Sequence, residues 1–384
     1  MTQSPAKTRG ENAMIRALYL IAIVFVVDGH TPFKDMFDWG GLFGYYSFHL
    51  MLFAFGSGYL LREGEEAHPL SLIARKAKRL LVPLLAWNAV YGVGAALLRR
   101  FGGFTLGAPL DAYTLLLAPF TDGQHFVYNL GSWFVFPMFL VQAVYILLRA
   151  LLARLPRGRE AAAFLLCLIP GALAVELCWA GRQAEAPLFL LRTLILLPGY
   201  ALGVLYRRRL ERYDTLPAAP YLTGLILLRA LFFLKYENLS YLLSDCSYFP
   251  CGAFGVYAGG VVAIALYVRI ARLLAPAVAR SRALLHISRH TFDIMMHHYM
   301  GFFAVDCVFL LLNMLGVGAA DFSVLSLRTQ MPYLYAPGGH WQVNALYVLA
   351  GLALPLFVRA AQDRLLAGLA RWRGRGKGRL SAEE

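Results

Sequence analysis

Long apolar segments recur along the whole chain, separated by short polar stretches. A helix needs about 20 apolar residues to cross the hydrocarbon core of a bilayer. Ten segments approach that length: 14–30, 41–61, 80–98, 133–152, 161–180, 187–206, 218–235, 252–274, 292–315 and 341–361. Only 15% of the 384 residues are charged, whereas about a quarter are charged in a soluble domain. The sequence therefore predicts an all-α, polytopic integral membrane protein with about ten transmembrane helices.

The basic residues are distributed unevenly around these segments. If the N-terminus is inside, 28 of the 36 Lys and Arg residues fall in the N-terminal segment, the inner loops and the C-terminal tail. This bias is typical of cytoplasmic loops and predicts an N-in, C-in orientation. The net charge of +14 therefore indicates contact with a lipid bilayer, and we expect no nucleic-acid partner.

Composition divides the chain into three parts. Residues 1–13 form a short cytoplasmic segment, residues 14–361 the transmembrane domain, and residues 362–384 a basic, Gly-rich tail that we expect to be disordered. The first apolar segment resembles a signal peptide in length, but the sequence VVDGHTPF that follows offers no small-residue cleavage pattern. We interpret this segment as a retained helix.

The first apolar segment ends on a carboxylate and an imidazole, Asp28 and His30. A group that takes up a proton near neutral pH at the end of a membrane helix indicates proton transfer. His49 begins the second segment on the same side of the membrane. A histidine facing water is the simpler interpretation of His49 alone, but two histidines at matching depth favour a functional pair.

A basic cluster precedes the third segment. Arg75, Lys76, Lys78 and Arg79 lie within five residues on the predicted inner face. The simplest interpretation is a positive-inside anchor. Such a cluster could also bind the phosphates of a nucleotide-containing donor.

Four other residues are constrained by the predicted topology. Cys246 and Cys251 lie close together in an outer loop, where a disulfide between them is possible. No spacing of cysteines resembles a zinc site, and we predict no metal. Arg192 and Arg229 lie within apolar segments, where an unpaired charge is costly, so each should pair or face a polar cavity.

Several stretches of the chain resemble the membrane-bound acyltransferase 3 family. The strongest are RALYLIAIVFVVDGH, SFHLMLFAFGSGYLL and RKAKRLLVP, all within residues 14–88. SWFVFPMFLVQAVYILL, LLPGYALGVLYRR and HTFDIMMHH follow in the family's order. The resemblance implies about ten helices and transfer of acyl groups, often acetyl from acetyl-CoA, to glycan hydroxyls.

The resemblance also implies roles for single residues. The histidine that closes the first helix, His30 here, is the family's catalytic residue, and the family's second-helix histidine matches His49. The family's Arg-x-x-Arg pair matches Lys76 and Arg79, which together with Arg75 and Arg16 we expect to bind the donor. The late family histidine matches either His297 or His298, and spacing favours His298 as a substrate contact; Trp133 is expected to be another.

The chain departs from the family pattern at two positions. Tyr19 stands where the family has a basic residue, and Arg16 lies about one turn earlier, which leaves the part of Arg16 in the donor path open. Asp293 replaces a glycine of the later motif.

These residues suggest a chemical mechanism. A sugar hydroxyl needs a general base to attack a thioester at neutral pH, and His30 would be that base. Asp28 would orient the ring or point elsewhere, because residues two apart on a helix do not share a face. His49 or Trp133 would stabilise the oxyanion. An acyl-histidine intermediate is an alternative route.

We therefore expect an O-acetyltransferase of the bacterial cytoplasmic membrane that modifies an envelope polysaccharide with acetyl-CoA, alone or with other envelope-glycan enzymes. Asp122, His125, Asn129 and His340 could help to hold a glycan, although solvated loops are the simpler interpretation. One competing hypothesis is a proton-coupled transporter or flippase of glycan precursors. Another is a scaffold of a polysaccharide assembly complex, in which His30 would be dispensable.

Overall fold

The computed structural model describes residues 12–33, 36–38, 40–123, 126–155 and 158–380, without the side chains of Glu66, Arg154 and 369–380. These residues form fourteen α-helices and no strand. The helices are α1 Ala13–Asp28, α2 His49–Tyr59, α3 Pro69–Gly102, α4 Ala112–Leu116, α5 Ala118–Thr121, α6 Val135–Leu151, α7 Arg159–Trp179, α8 Leu188–Leu205, α9 Ala218–Tyr236, α10 Gly252–Arg280, α11 Arg282–Arg289, α12 Thr291–Met314, α13 Val324–Thr329 and α14 Val343–Leu380. The expected all-α class is confirmed.

Eight of the described helices are long and apolar enough to cross a membrane: α3, α6, α7, α8, α9, α10, α12 and α14. The chain is therefore a multi-pass membrane protein. The first two expected spans are shorter as helices, with 16 residues in α1 and 11 in α2. At the other end of the chain, α14 continues as a helix to Leu380, where the sequence predicts an irregular tail from residue 362.

The helices α1 and α2 are short because the chain between them turns inside the bundle. Met51, in the first turn of α2, contacts Gly199, which lies eleven residues into α8. At about 1.5 Å of rise per residue, this contact lies some 16 Å below the first residue of α8. Non-helical backbone at such a depth needs protein partners, because lipid offers no hydrogen bonds.

One of two buried arginines supplies these partners, and the other binds irregular backbone elsewhere in the chain. Arg229 of α9 donates to the carbonyl oxygen of Leu42 at 3.0 Å, to that of Gly44 at 3.3 Å and to the hydroxyl of Ser47 at 2.6 Å. Arg192 of α8 donates to the carbonyl oxygen of Asp122 at 2.7 Å. The expectation that both arginines have polar partners is thus confirmed. Their charge is balanced mainly by main-chain carbonyl oxygens. These hydrogen bonds hold irregular segments of the chain against α8 and α9.

Close packing of α2 on α8 sets the position of His49. A Cβ atom at Gly58 would overlap the carbonyl oxygen of Tyr200, and one at Gly203 would overlap that of Phe55. The two backbones therefore approach each other as small residues allow in membrane helices. Larger side chains at these glycines would force α2 away from α8.

Ionic clusters gather at one end of the bundle, where α1, α3, α7 and α12 begin; we call it the basic end. Buried Glu160 lies 2.9 Å from Arg209 and 3.3 Å from Arg149. Asp214 pairs with Arg269 and Arg272, and Asp293 lies 3.6 Å from Arg359. The side chain of Asp293 thus ties α12 to α14.

The cysteines correct one expectation. All five are free thiols, so Cys246 and Cys251 do not form the disulfide considered above. The thiol of Cys246 instead donates to the carbonyl oxygen of Leu243 at 3.6 Å. Proximity in the sequence therefore does not bring the thiols of Cys246 and Cys251 together.

Candidate active site

A cavity of about 210 Å³ opens where α1 ends and α2 begins. Most of its large side chains are aromatic: Tyr46, Phe53, Trp133, Phe134, Tyr241 and Tyr299. His30 and His49 are its titratable imidazoles. An apolar cavity with a few convergent polar groups is the usual form of a small-molecule site.

The ring of His30 is oriented by main chain. Its Nδ1 atom lies 2.7 Å from the carbonyl oxygen of Val26, which can only accept, so Nδ1 carries the proton. In the neutral ring, Nε2 therefore presents a lone pair, as a general base requires. Beside it, Tyr46 donates to the carbonyl oxygen of Gly29 at 2.6 Å. A Cβ at Gly29 would lie 2.9 Å from the Tyr46 ring, so glycine lets that ring approach.

His49 has the same tautomer. Its Nδ1 atom lies 2.7 Å from the carbonyl oxygen of Tyr45, so its neutral Nε2 also presents a lone pair. The hydroxyl of Tyr45 donates at 2.9 Å to the buried carboxylate of Asp28. Asp28 therefore supports Tyr45, the residue that orients His49. At His30, the ring is oriented by the carbonyl of Val26 and not by Asp28.

The structure separates the two adjacent histidines of α12. The ring of His298 lies 5.0 Å from that of His30. Its Nδ1 atom contacts the carbonyl oxygens of Met295 and Ile294 at 2.9 and 3.1 Å. By contrast, Nδ1 of His297 lies 2.8 Å from the hydroxyl of Tyr91 on α3. His298 is therefore the histidine that packs against His30, although it does not itself line the cavity.

Trp133 forms one wall of the cavity, and Arg192 fixes its position. The guanidinium of Arg192 lies over the indole ring, 4.6 Å from its centroid. The same guanidinium binds the carbonyl oxygen of Ser244, another residue that lines the cavity. Arg192 thus joins two parts of the lining that are distant in sequence.

The remaining predicted residues lie outside the cavity. His340 is exposed, Asp122 contributes its carbonyl to Arg192, and Asn129 is buried but does not line the cavity. His125 lies outside the described residues. Four residues that line the cavity were not predicted from the sequence: Tyr46, Tyr241, Ser244 and Tyr299. Of these, only Tyr299 could have been predicted, because it follows His298 in the chain.

The basic residues expected to bind the donor are at the basic end. Arg75 and Arg79 are exposed. Lys76 donates to the side-chain oxygen of Gln142 at 2.7 Å, and Arg16 donates to the carbonyl oxygen of Ser288 at 3.2 Å. His30 is fourteen residues after Arg16, and all but the last of these steps follow α1 as far as its C-cap, Gly29. At about 1.5 Å of rise per residue, Arg16 and His30 are about 20 Å apart along the helix.

Tyr19 lies between this basic group and the cavity. Its ring stacks on Phe53, a cavity residue, at 5.6 Å, and its hydroxyl lies 3.3 Å from that of Ser57. A Cβ at Gly56 would overlap the Tyr19 ring. The small residues of α2 therefore leave room for the Tyr19 ring.

The fold and site define a multi-pass membrane protein with a histidine-lined cavity inside its helix bundle. The acyltransferase 3 family model, described as an acyltransferase domain, matches residues 15–358. The chain belongs to this family and is a membrane acyltransferase. No curated protein and no solved structure matches it.

Proposed function

We propose that the protein transfers an acetyl group from acetyl-CoA to a hydroxyl of an envelope polysaccharide or its precursor, in the bacterial cytoplasmic membrane. The observation that carries the proposal is the ring of His30, held by the Val26 carbonyl so that Nε2 is basic and next to His298 at the cavity. Family membership supplies the reaction class.

In the proposed reaction, Nε2 of His30 removes the proton of the acceptor hydroxyl as its oxygen attacks the thioester carbon. The carbon–sulfur bond then breaks, and the thiolate of CoA takes the proton from the imidazolium. An acyl-histidine route would use the same Nε2 atom.

The tautomer of His49 indicates which residues would bind the incoming hydroxyl and which would stabilise the oxyanion. Neutral His49 has no N–H left for the cavity, so it suits an acceptor of the incoming hydroxyl's hydrogen bond better than an oxyanion donor. The indole N–H of Trp133 and the hydroxyl of Tyr299 are the better oxyanion donors. His298 lies beside His30 and would contact the substrate or stabilise the ring.

The size and lining of the cavity suit part of a glycan. A volume of about 210 Å³ is below the usual range of roughly 300–1,000 Å³ for sites that enclose a drug-sized ligand. The cavity would therefore hold the acyl group with the reacting part of one sugar, while the rest of the polymer stays outside. Aromatic faces such as those of Trp133 and Tyr46 suit the apolar faces of sugar rings.

We place the phosphates of acetyl-CoA on Arg75, Lys76 and Arg79, with Arg16 nearby, on the cytoplasmic side. Replacing Arg79 with Ala should raise the KM for acetyl-CoA about tenfold and leave kcat nearly unchanged, since a charge-assisted hydrogen bond contributes about 1.5–3 kcal/mol. Steady-state kinetics in membranes would measure both constants. Arg62→Ala, at an exposed residue of the same end, is the control; an equal rise in KM there would indicate a general charge effect.

The proposed function is tested by the O-acyl content of the host's envelope polysaccharide, measured by mass spectrometry. The parent strain, a deletion strain and the deletion restored with wild type are compared. We expect acylation to disappear on deletion and return with the wild-type gene. Unchanged acylation with impaired glycan export would favour the flippase hypothesis; unchanged acylation and export would contradict the proposal and favour a scaffold.

A further inference from the structure

Residues 237–251, between α9 and α10, supply part of the cavity lining; we call them the outer segment. Asp214, just before α9, pairs with Arg269 of α10 at the basic end. Because α9 leaves that end and α10 returns to it, the outer segment lies at the opposite end of the bundle. Four consecutive residues of the segment line the cavity: Tyr241, Leu242, Leu243 and Ser244.

The outer segment is held in place by packing and by one charged hydrogen bond. Six of its side chains are buried: Leu239, Tyr241, Leu243, Cys246, Phe249 and Cys251. The rings of Tyr241 and Phe249 stack, with their centroids 5.0 Å apart. Arg192 of α8 donates to the carbonyl oxygen of Ser244. The segment is therefore ordered before any ligand binds, which lowers the entropic cost of binding.

Two large side chains of the outer segment are exposed, Leu242 by 39% and Tyr248 by 43%. The main-chain N–H of Leu242 donates to the carbonyl oxygen of Tyr248 at 2.9 Å, in an isolated antiparallel bridge. Residues that face each other in an antiparallel pair point to the same side, with Cβ atoms about 4.5–5.5 Å apart. Leu242 both lines the cavity and is exposed, so it marks the rim. Tyr248 lies next to this rim.

The surroundings of Tyr248 suit a sugar. Its hydroxyl accepts a hydrogen bond of 3.2 Å from the side-chain amide of Asn238, and Asn238, Asp245 and Ser247 are exposed. The face of an aromatic ring is negative and attracts the C–H groups of a sugar, while amide, carboxylate and hydroxyl groups bind its hydroxyls. The outer segment contains the acidic residues Glu237 and Asp245 and no Lys or Arg. This surface therefore favours an uncharged sugar over an acidic one.

We propose that the ring of Tyr248, oriented by Asn238, is a second acceptor subsite, which binds the uncharged sugar next to the one that is acetylated. The inference rests on the proposed function. A cavity of about 210 Å³ would hold only the reacting part of one sugar, so the neighbouring sugar lies beyond the rim at Leu242. The enzyme should therefore acetylate an oligosaccharide in preference to a monosaccharide.

Binding is measured first, without a donor. The full-length protein in nanodiscs is titrated calorimetrically with neutral tetrasaccharides, released by partial acid hydrolysis from the host's de-O-acetylated envelope polysaccharide. Tyr248→Ala should raise the Kd about tenfold, because it removes the stacking surface. Tyr248→Phe keeps the ring and should stay within about twofold of wild type. Tyr113→Ala, at an exposed tyrosine of α4, is the control and should not change the Kd.

Acetyl transfer from acetyl-CoA is then measured with the same tetrasaccharides and with monosaccharides from the same hydrolysate. Tyr248→Ala should lower kcat/KM about tenfold for the tetrasaccharides and leave it unchanged for the monosaccharides, since only the longer acceptor reaches Tyr248. The KM for acetyl-CoA should not change in this variant.

Several results would overturn the subsite. These are absence of binding by wild type, an equal Kd in wild type and Tyr248→Ala, an equal loss in Tyr113→Ala, and tighter binding of the acidic fraction of the hydrolysate. Failure of the proposed function gives a different result. In that case the tetrasaccharides would bind in a manner that depends on Tyr248, but wild type would acetylate neither acceptor.

Discussion

Replacing His30 with Asn should lower kcat for acyl transfer by about a thousandfold, while the protein remains folded. General-base catalysis contributes about 10²–10⁴-fold, and asparagine provides no basic nitrogen to replace Nε2. The measurement is the rate of acetyl transfer from acetyl-CoA in membranes with equal amounts of each variant. The KM for acetyl-CoA should change little, because the proposed phosphate contacts lie at the basic end, where Arg16 is some 20 Å from His30 along α1.

The matched control for this variant is His340→Asn. This histidine is exposed and outside the cavity, so its replacement should leave kcat within about twofold of wild type. If His30→Asn retained most of the wild-type rate, His30 would not be the general base. The cavity would then have to act through His49 or His298.

Replacing Gly58 with Val should prevent accumulation of folded protein or lower its Tm by 5 °C or more. Overpacking a tight interface costs about 1–3 kcal/mol, and here the added Cβ would meet the carbonyl oxygen of Tyr200 rather than a movable side chain. Thermal unfolding in detergent and abundance in the membrane measure the effect. Activity should be lost as well, because displacing α2 displaces His49.

Gly94→Val is the control for this prediction. Gly94 is in α3, a helix long enough to cross a membrane, and no heavy atom beyond its own helix backbone and chain neighbours lies within 4 Å of a Cβ built there. Its replacement should leave Tm and abundance unchanged. Equal stability of the Gly58 and Gly94 variants would show that the approach of α2 to α8 does not limit stability.

The sequence allowed prediction of the features that depend on one segment at a time. Hydropathy identified the all-α membrane class, and the motif order identified the family. His30 and His49 were predicted as a pair, and both line one cavity. Each of these predictions needs only composition, spacing or a short motif.

Features that depend on rotation and contact between segments could not be predicted. Motif spacing favoured His298 over His297, but the two differ by about 100° around α12, and only packing shows that His298 lies against His30. Cys246 and Cys251 are close in sequence, but packing leaves both as free thiols. A main-chain carbonyl orients His30, and no residue type in the sequence indicates such a contact. Asp28, whose carboxylate suggested that role, instead accepts a hydrogen bond from Tyr45.

Because α1 is short, the basic end and the cavity lie close to each other along it. Along α1, Val26, which lines the cavity, is only ten residues after Arg16, at the basic end. At about 1.5 Å per residue they span roughly 15 Å, half the thickness of a hydrocarbon core. Along α1, the protein layer between the basic end and the cavity is thus thin, and it includes the stacked rings of Tyr19 and Phe53. If acetyl-CoA binds at the basic end as proposed, its acyl group has only this layer to pass to reach the cavity.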